Sequence, residues 1–217
     1  WDATQTLIQT SAPLGLRFLG GPSGSEAIAA KSMDEQQKQV GVPVRLQLRW
    51  VPTKFGVAED RCFNLQQRLN SFAGKNVVAS VEYADVGGSN RKSVLAMGGS
   101  ESDPLQTTLV YFKGPAAQKT FLVAHGGATA DDNTLSWSGY ELSRSIFALT
   151  NGNTAPPVTT DVETIWNFVK QDDNTIKAKL RIASYLNAQS DKLYFEAKNR
   201  AVCLADYTLE LRKRNNA

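Results

Sequence analysis

The sequence predicts an all-β protein in which antiparallel strands follow one another up and down and close into a barrel of about 8–10 strands. Three observations predict this fold. Apolar and polar residues alternate with a period of two along much of the chain, turns rich in Gly, Asn, Asp and Pro separate these stretches, and almost no crossover helices intervene. Each such strand buries one face, and closure of the sheet removes the edges at which sheets aggregate.

The N-terminal quarter combines two strands with one polar insertion. Residues 2–10 mix Thr, Gln, Leu and Ile and predict the first strand. A turn-rich segment follows, and then residues 25–40 are polar, which predicts a short surface helix within an insertion at about 23–40. Residues 44–50 alternate apolar and polar side chains, so they predict a strand with one buried face.

The middle of the chain predicts one short helix and then a return to strands. Residues 64–72 carry apolar side chains at helical spacing, which predicts one or two helical turns. The glycine-containing cluster at 87–90 predicts a turn. Strands are predicted on both sides of that turn and in a hairpin around Gly114 and Pro115, at residues 77–83, 94–97, 107–113 and 120–125.

The C-terminal half shows the period of two most clearly. Strands are predicted at residues 135–137, 140–149, 159–170, 176–182 and 202–211, with a further segment at 192–199. The parity of the apolar residues changes between Leu204 and Tyr207, which predicts a β-bulge near Ala205 and Asp206.

These elements favour a single domain over residues 1–217, built as an up-and-down barrel of the lipocalin (calycin) type with a short helical insertion. A sandwich of two sheets is the alternative, because strand number alone does not distinguish the two architectures.

Composition and charge exclude several classes of function. The 217 residues suffice for one large domain that buries roughly 70% of its unfolded surface. Twenty-four Lys and Arg against 21 Asp and Glu leave a net charge of +3, too balanced for a dedicated nucleic-acid-binding face. No stretch reaches the ~18 apolar residues of a membrane span, so we expect a soluble or peripheral protein. The chain starts at Trp1 without an initiator Met, which predicts that an upstream targeting segment has been cleaved.

The two cysteines, Cys62 and Cys203, lack the spacing of a zinc or redox motif. One interpretation is a disulfide that closes a loop of about 140 residues and stabilises the fold by roughly 4–5 kcal/mol. The other is a pair of reduced, buried thiols.

The sequence predicts no catalytic residues, no metal site and no cofactor. His125 is the only histidine, and its neighbours Gly126 and Gly127 resemble an esterase oxyanion segment, but no G-x-S-x-G elbow supplies a nucleophile. A strand that ends in a glycine turn is therefore favoured. The acidic pairs Asp131 with Asp132 and Asp172 with Asp173 could bind calcium, yet each adjoins Asn, which favours turn chemistry.

Two surfaces are candidates for binding. Aromatic residues on predicted strands could line the mouth of a barrel and hold a small lipophile such as a lipid, quinone or pigment, although they could equally fill its interior. A basic run near the C-terminus is either a surface that faces an acidic partner or a solvated tail. The residues concerned are Trp137, Trp166, Tyr185 and Phe195 for the first surface, and Arg212, Lys213 and Arg214 for the second.

Several motifs are distinctive in combination: a strand that begins with Trp, then APLG, then GVPV, then DRCFN. They lie at residues 1–7, 12–15, 41–44 and 60–64, and further matching segments lie at 161–168 and 181–186. Together they resemble a lipocalin-like thylakoid protein family of cyanobacteria, algae and plants, and the similarity extends over nearly the whole chain. Within that family, a green-algal member of the thylakoid-enriched set is similar as well.

The resemblance implies a function that the residues alone do not show. Because chloroplast members of the family are thylakoid proteins, it implies a processed protein of the chloroplast thylakoid lumen, peripheral to the membrane. It further implies a non-catalytic auxiliary factor that binds the lumenal side of photosystem II during assembly, repair or stabilisation. A lipocalin-like carrier of a small lipophile is the alternative.

Overall fold

The computed structural model describes residues 1–19, 25–53, 56–84, 107–129, 135–152, 157–189 and 191–214. The described residues are mostly β. The strands are β1 (Asp2–Ser11), β2 (Pro43–Gln47), β3 (Trp50–Thr53), β4 (Gly56–Glu59), β5 (Val78–Tyr83), β6 (Thr107–Phe112), β7 (Ala116–Thr129), β8 (Ser136–Leu149), β9 (Val158–Lys170), β10 (Thr175–Tyr185) and β11 (Cys203–Arg212). The helices are α1 (Glu26–Gln37), α2 (Arg61–Phe72) and α3 (Tyr194–Ala197), with a 3₁₀ turn at Leu16–Leu19.

Nine of these strands form one antiparallel sheet in the order β2-β1-β11-β10-β9-β8-β7-β6-β5. From β5 to β11 each strand pairs with its neighbour in sequence, which confirms the predicted antiparallel, up-and-down arrangement. The strands form one large sheet, so the alternative of two packed sheets is not what the described residues show. Strands β3 and β4 pair only with each other. Among the described residues no pairing joins the edge strands β2 and β5, and no closed barrel is found.

Helix α2 contacts both edge strands of this sheet, β2 and β5. Its Ser71 hydroxyl donates to the carbonyl oxygen of Arg45 on β2 at 3.3 Å. Its Asn70 Oδ1 accepts from the backbone amides of Val77 and Val78, where β5 begins, at 2.8 and 3.0 Å. Asp60 caps the helix, since its Oδ1 accepts from the Phe63 amide at 3.1 Å. The helix therefore satisfies polar groups of both edge regions.

The main hydrophobic core lies on one face of the sheet, which we call the inner face. Its buried members come from the central and N-terminal strands: Ala3, Leu46, Leu48, Ala178, Leu180, Leu209 and Leu211. On β10 and β11 these residues alternate with exposed Lys177, Lys179 and Thr208, as the period of two predicts. Trp1, Trp50, Trp166, Phe168, Ile176 and Tyr207 pack against this core and are partly buried.

Helix α1 occupies the predicted polar insertion. Ser25 caps it, with its hydroxyl accepting from the Ile28 amide at 3.4 Å. Only Ala29 of this helix is buried. No helix in the described ranges is both long and apolar enough to cross a lipid bilayer.

Four local features differ from the sequence predictions. The bulge expected near Asp206 lies on the partner strand instead: β10 and β11 pair without interruption, and the register of β1 shifts between Leu7 and Gln9, opposite Asp206. The strand predicted at 44–50 ends at Gln47, and the two strands predicted at 135–137 and 140–149 are one strand, Ser136–Leu149. The segment at 192–199 contains the short helix α3. The predicted turn at 87–90 and strand at 94–97 lie outside the described residues.

Candidate functional site

All four tryptophans of the chain gather in one region of the inner face. With Phe168 they form what we call the tryptophan cluster: Trp1, Trp50, Trp137, Trp166 and Phe168. The Trp137 ring lies 5.5 Å from that of Trp166 and stacks on Phe168 at 5.4 Å, centroid to centroid. Trp50 meets Phe168 edge to face at 6.5 Å. These separations are those of favourable aromatic pairs.

Strand register explains how the cluster forms. Trp137 on β8 is paired with Phe168 on β9, and Gly139 with Trp166, so the three rings share one face. The Leu48 amide donates to the Trp1 carbonyl oxygen and the Trp1 nitrogen donates to the Leu48 carbonyl oxygen, both at 2.9 Å, which holds the chain before β3 against the start of β1. The cluster is therefore assembled from segments far apart in sequence.

Glycines make room for the indoles. A Cβ atom at Gly139 would lie 2.8 Å from Trp166 Nε1, and one at Gly127 would lie 3.1 Å from Trp137 Nε1. Gly126 makes room for a ring on the opposite face of the sheet, because a Cβ atom there would lie 2.7 Å from the Tyr140 ring. The prediction that Gly126 and Gly127 end a strand in a turn is wrong, because both lie inside β7 and accommodate aromatic rings across the sheet.

Trp166 carries an unusual polar group. Its Nε1 is the one buried side-chain nitrogen or oxygen without a hydrogen-bond partner among the residues that the structure describes. A buried donor left unpaired costs about 1–3 kcal/mol. Trp137, which packs against Trp166, is 39% exposed. The cluster thus combines an unsatisfied N–H group with an aromatic surface that solvent reaches.

The structure brings together only two of the four aromatic residues expected to line a barrel mouth. Tyr185 is paired with Asp161, and by strand alternation both lie on the face opposite Trp166. There the Tyr185 hydroxyl donates to Glu163 at 2.7 Å. Burial, and to a lesser extent this hydrogen bond, raises the pKa of Tyr185 to about 12. Phe195 lies on α3 and is 82% exposed. Neither residue belongs to the tryptophan cluster.

Helix α2 carries a network of charged groups over the inner face. Arg61 forms two hydrogen bonds to the Glu141 carboxylate on β8, at 2.9 and 2.5 Å. Arg68 pairs with Glu59 at 2.7 Å. The fully buried Asn64 completes the network: its amide accepts from the Arg49 backbone N–H at 2.7 Å and donates to the Arg49 carbonyl and to Glu59 at 3.0 and 2.9 Å.

This network fixes the protonation of its members. Burial by itself would raise the pKa of Glu59, but Arg68, Arg61 and Asn64 outweigh it, so the pKa lies below its ordinary value. The pKa of Arg61 is raised in spite of burial, because Glu141 holds the charged guanidinium. Both ions therefore stay charged, and we interpret the network as a structural tie between α2 and the sheet.

The two cysteines are separate, free thiols, so the disulfide interpretation is wrong for this structure. Cys62 lies in the first turn of α2 and Cys203 at the start of β11. Burial and the nearby Asp60 raise the pKa of Cys62 to about 11, and burial raises that of Cys203. Neither environment activates a thiolate at neutral pH.

The remaining candidates from the sequence have no catalytic arrangement. His125 is exposed on β7, paired across the strands with Glu141, which already binds Arg61. Asp172 accepts from the Asn174 amide at 2.8 Å and Asp173 from Lys170 Nζ at 2.6 Å, which is the favoured turn chemistry. Asp131 and Asp132 lie outside the described residues. Within the described ranges no group of three or more His, Cys, Asp and Glu could hold a metal ion.

The C-terminal basic run lies beside acidic groups. Arg212 pairs with Glu210 at 2.8 Å. The Lys213 amide donates to the Asn174 carbonyl at 2.8 Å, and the Lys213 charge helps Lys170 to lower the pKa of Asp173. Part of the positive charge of Arg212, Lys213 and Arg214 is therefore balanced within the chain.

Sequence reasoning missed Trp1, Trp50 and Phe168 as members of the cluster. Phe168 was recognisable, because it shares a strand face with Trp166 at a spacing of two residues. The positions of Trp1 and Trp50 depend on the order of the strands in the sheet, because β1 pairs with β11, which lies far from it in sequence. Gly139 marked the site as well, because an isolated glycine inside a strand signals a close approach.

The fold and the cluster define a class: a β-rich protein built on a single nine-stranded antiparallel sheet, with an aromatic inner face tied to a helix. The chain belongs to the family described as "Domain of unknown function (DUF6816)", whose profile matches residues 1–215. No curated protein and no solved structure gives a significant match.

Proposed function

We propose that this protein acts by binding and not by catalysis, as an auxiliary factor that docks on the lumenal side of photosystem II. The observation that supports a binding role is the use of its ionisable groups. Glu59, Glu141 and Asp161 are each held by arginine, and the cysteine thiols have raised pKa values. These groups stabilise the fold, while aromatic surfaces remain accessible to partners.

The choice of photosystem II rests on the sequence resemblance to the lipocalin-like thylakoid family. On this proposal the protein is peripheral to the thylakoid membrane in the chloroplast lumen and contacts a core or an assembly or repair intermediate. It uses no cofactor and binds no nucleic acid.

We infer further that the sheet is a lipocalin-like (calycin) barrel in which α2 fills the place between β2 and β5. The strand order supports this, because β2 and β5 are the two edges that closure of the sheet would bring close together, on either side of α2. The hydrogen bonds that Ser71 donates to β2 and that Asn70 accepts from the amide of Val77 next to β5 support it as well. An experimental structure with an open, flat sheet would contradict the inference.

The test of the docking role is affinity purification of the tagged protein from illuminated thylakoids, followed by mass spectrometry of proteins and lipids. We expect photosystem II core subunits without the full oxygen-evolving set. Recovery with photosystem I alone, and never with photosystem II intermediates, would contradict the proposal.

A second candidate function, a lipophile carrier, is favoured by the tryptophan cluster. The unpaired Trp166 Nε1–H is a donor suited to a carbonyl oxygen, and the neighbouring rings suit a planar apolar molecule. The leucine-filled core restricts such a ligand to the region of Trp137, because Leu48, Leu209 and Leu211 are buried and packed. A quinone has both required features.

Tryptophan fluorescence tests this candidate. Titration with a short-chain plastoquinone analogue is expected to quench the emission with saturation, and Trp137→Ala is expected to weaken binding about tenfold. Tyr140→Ala is the matched control, since Tyr140 is 41% exposed on the same strand but faces the opposite side. Linear, unsaturable quenching in the wild-type protein would rule out a site.

A further inference from the structure

Phe195 is the most exposed large apolar side chain among the described residues, at 82% of its full area. It lies on α3, where its ring contacts Tyr194 edge to face at 5.3 Å. A phenylalanine at such an exposed position leaves nearly its whole apolar surface in water, and an aromatic residue presented in this way is typical of an interface anchor.

The body of the protein holds this short helix in place. Ala197 is 2% exposed and packs with Phe18 and Val202 in a second core cluster, beside Leu193. The backbone after the helix is left-handed at Lys198 and Asn199, with φ of 53° and 57°. Asn adopts this conformation readily, but it is uncommon for Lys, so the backbone at Lys198 is held by its surroundings. Phe195 is thus presented on a fixed support, which lowers the entropy lost on binding.

The charges around Phe195 are unbalanced. Glu196 pairs with Arg17, and the Asp191 carboxylate accepts from the Asn187 amide at 2.5 Å. Lys192, Lys198 and Arg200 are exposed, and none has a carboxylate partner among the described residues. The exposed charged groups of this corner that lack an ion-pair partner are therefore all positive. The carboxylates of Asp191 and Glu163 are half-buried, and each accepts a hydrogen bond, from the Asn187 amide and the Tyr185 hydroxyl, without a basic partner among the described residues. Next to them lies a cleft of about 300 Å³, lined by Leu142, Tyr185, Tyr194 and Arg200 and also by the carboxylates of Asp161 and Glu163.

We propose that this corner, which we call the α3 corner (Lys192, Phe195, Lys198 and Arg200), docks on an acidic protein surface that has an apolar pocket for Phe195. The free cations complement the acidic surface, and the fixed ring provides the central anchor. The cleft beside α3 suits an apolar side chain of the partner, because Leu142, Tyr185 and Tyr194 line it together with two carboxylates that would repel an acidic one. A shaped protein surface fits one rigid ring and a cleft better than a fluid lipid surface does. The inference rests on the proposed function only in taking the protein to act by binding another protein.

Photo-cross-linking tests the α3 corner directly. The purified protein carries benzoylphenylalanine in place of Phe195 and is irradiated in whole extract of its source cells, membranes included. Cross-linked peptides are then identified by mass spectrometry. The matched probe carries the same group in place of Ile28, which is 63% exposed on α1. The charge test is K198E with R200E, and its control is K177E with K179E on the exposed face of β10.

We expect the position-195 probe to capture a peptide rich in Asp and Glu, and the position-28 probe not to capture it. The K198E/R200E pair is expected to lower this yield about tenfold, while K177E/K179E leaves it unchanged. No cross-link at position 195, a cross-link that survives the charge reversal, or capture of lipid instead of protein would overturn the inference. An acidic peptide from outside photosystem II would uphold the inference and refute the photosystem II proposal.

Discussion

The Trp166 indole lies directly against Gly139 on the neighbouring strand. A Cβ atom at position 139 would lie 2.8 Å from Trp166 Nε1 and 2.8 Å from the carbonyl oxygen of Gly126. Real Cβ atoms essentially never approach other atoms so closely, and one of these two neighbours is backbone. The packing of the tryptophan cluster thus depends on the absence of a side chain at one position.

We predict that Gly139→Ala destabilises the protein by about 1–3 kcal/mol, the usual cost of overpacking. The methyl group must displace the indole or the backbone of β7, so tryptophan emission should shift as well. Urea unfolding followed by fluorescence measures both effects. Gly114→Ala is the matched control, because nothing lies within 4 Å of its Cβ position. Equal stability of the two variants would show that the indole is not packed against Gly139.

The partly buried carboxylate of Glu59 predicts a dependence of stability on pH. Burial opposes its charge, but Arg68 and Arg61 lower its pKa below the ordinary value of 4.5. A group whose pKa is lower in the folded state stabilises the protein above its unfolded pKa, and this stabilisation is lost as the pH falls through the folded pKa. The contribution of Glu59 is therefore present at neutral pH and fades below about pH 4.5.

Glu59→Gln should accordingly cost about 1.5–3 kcal/mol at pH 7, the range for hydrogen bonds to charged groups. The difference from wild type should shrink as the pH falls below 4.5 and through the lowered pKa of Glu59, because the wild-type carboxyl then becomes protonated too. Urea unfolding over a series of pH values from 7 downwards gives the comparison. Glu35→Gln is the control, since Glu35 is 65% exposed and pairs only with Lys38 at 3.8 Å. A difference for Glu59→Gln that is independent of pH would contradict this assignment.

The period of two was enough to predict most strands of the large sheet and their antiparallel order, but the β3–β4 hairpin was not predicted. Leu209 and Leu211 illustrate the reason, because buried and exposed residues alternate within a strand and this alternation is visible in the sequence. Successive strands joined by short turns then pair with each other. The position of β1 beside β11 could not be read in this way, because it joins the two ends of the chain. For the same reason Trp1 and Trp50 were not placed near Trp166.

Local breaks in the pattern were harder to assign. The change of parity near Asp206 was real, but the extra residue is Ile8 on the partner strand, since a bulge can be placed on either member of a pair. Phe195 lies in a segment too short to show a period, and its exposure depends on packing of Ala197 against Phe18. The glycines of β7 were mistaken for a turn because their cross-strand aromatic partners were unknown.

Arg61 and Glu141 should be coupled energetically, because they join α2 to β8. Their side chains are 24% and 21% exposed, so solvent screens the pair only in part. In a double-mutant cycle with Arg61→Ala and Glu141→Ala, we expect a coupling energy of about 1 kcal/mol. A cycle on Arg212 and Glu210, exposed at 76% and 39%, should give a value near zero. If the coupling energy of Arg61 with Glu141 is no larger than that of Arg212 with Glu210, the Arg61–Glu141 pair does not help to hold α2 on the sheet.

The cysteines predict slow and strongly pH-dependent thiol chemistry. Because the pKa of Cys62 is raised to about 11, only about one molecule in a thousand carries its thiolate at pH 8. The rate of alkylation of Cys62, measured in the Cys203→Ser variant by mass spectrometry, should rise about tenfold per pH unit from pH 8 to 10. Labelling of the unfolded variant in urea is the control, and it should be faster at pH 8.

The intact mass of the purified wild-type protein should match two reduced cysteines. A mass about 2 Da lower, or no labelling until a reductant is added, would show instead that Cys62 and Cys203 are joined.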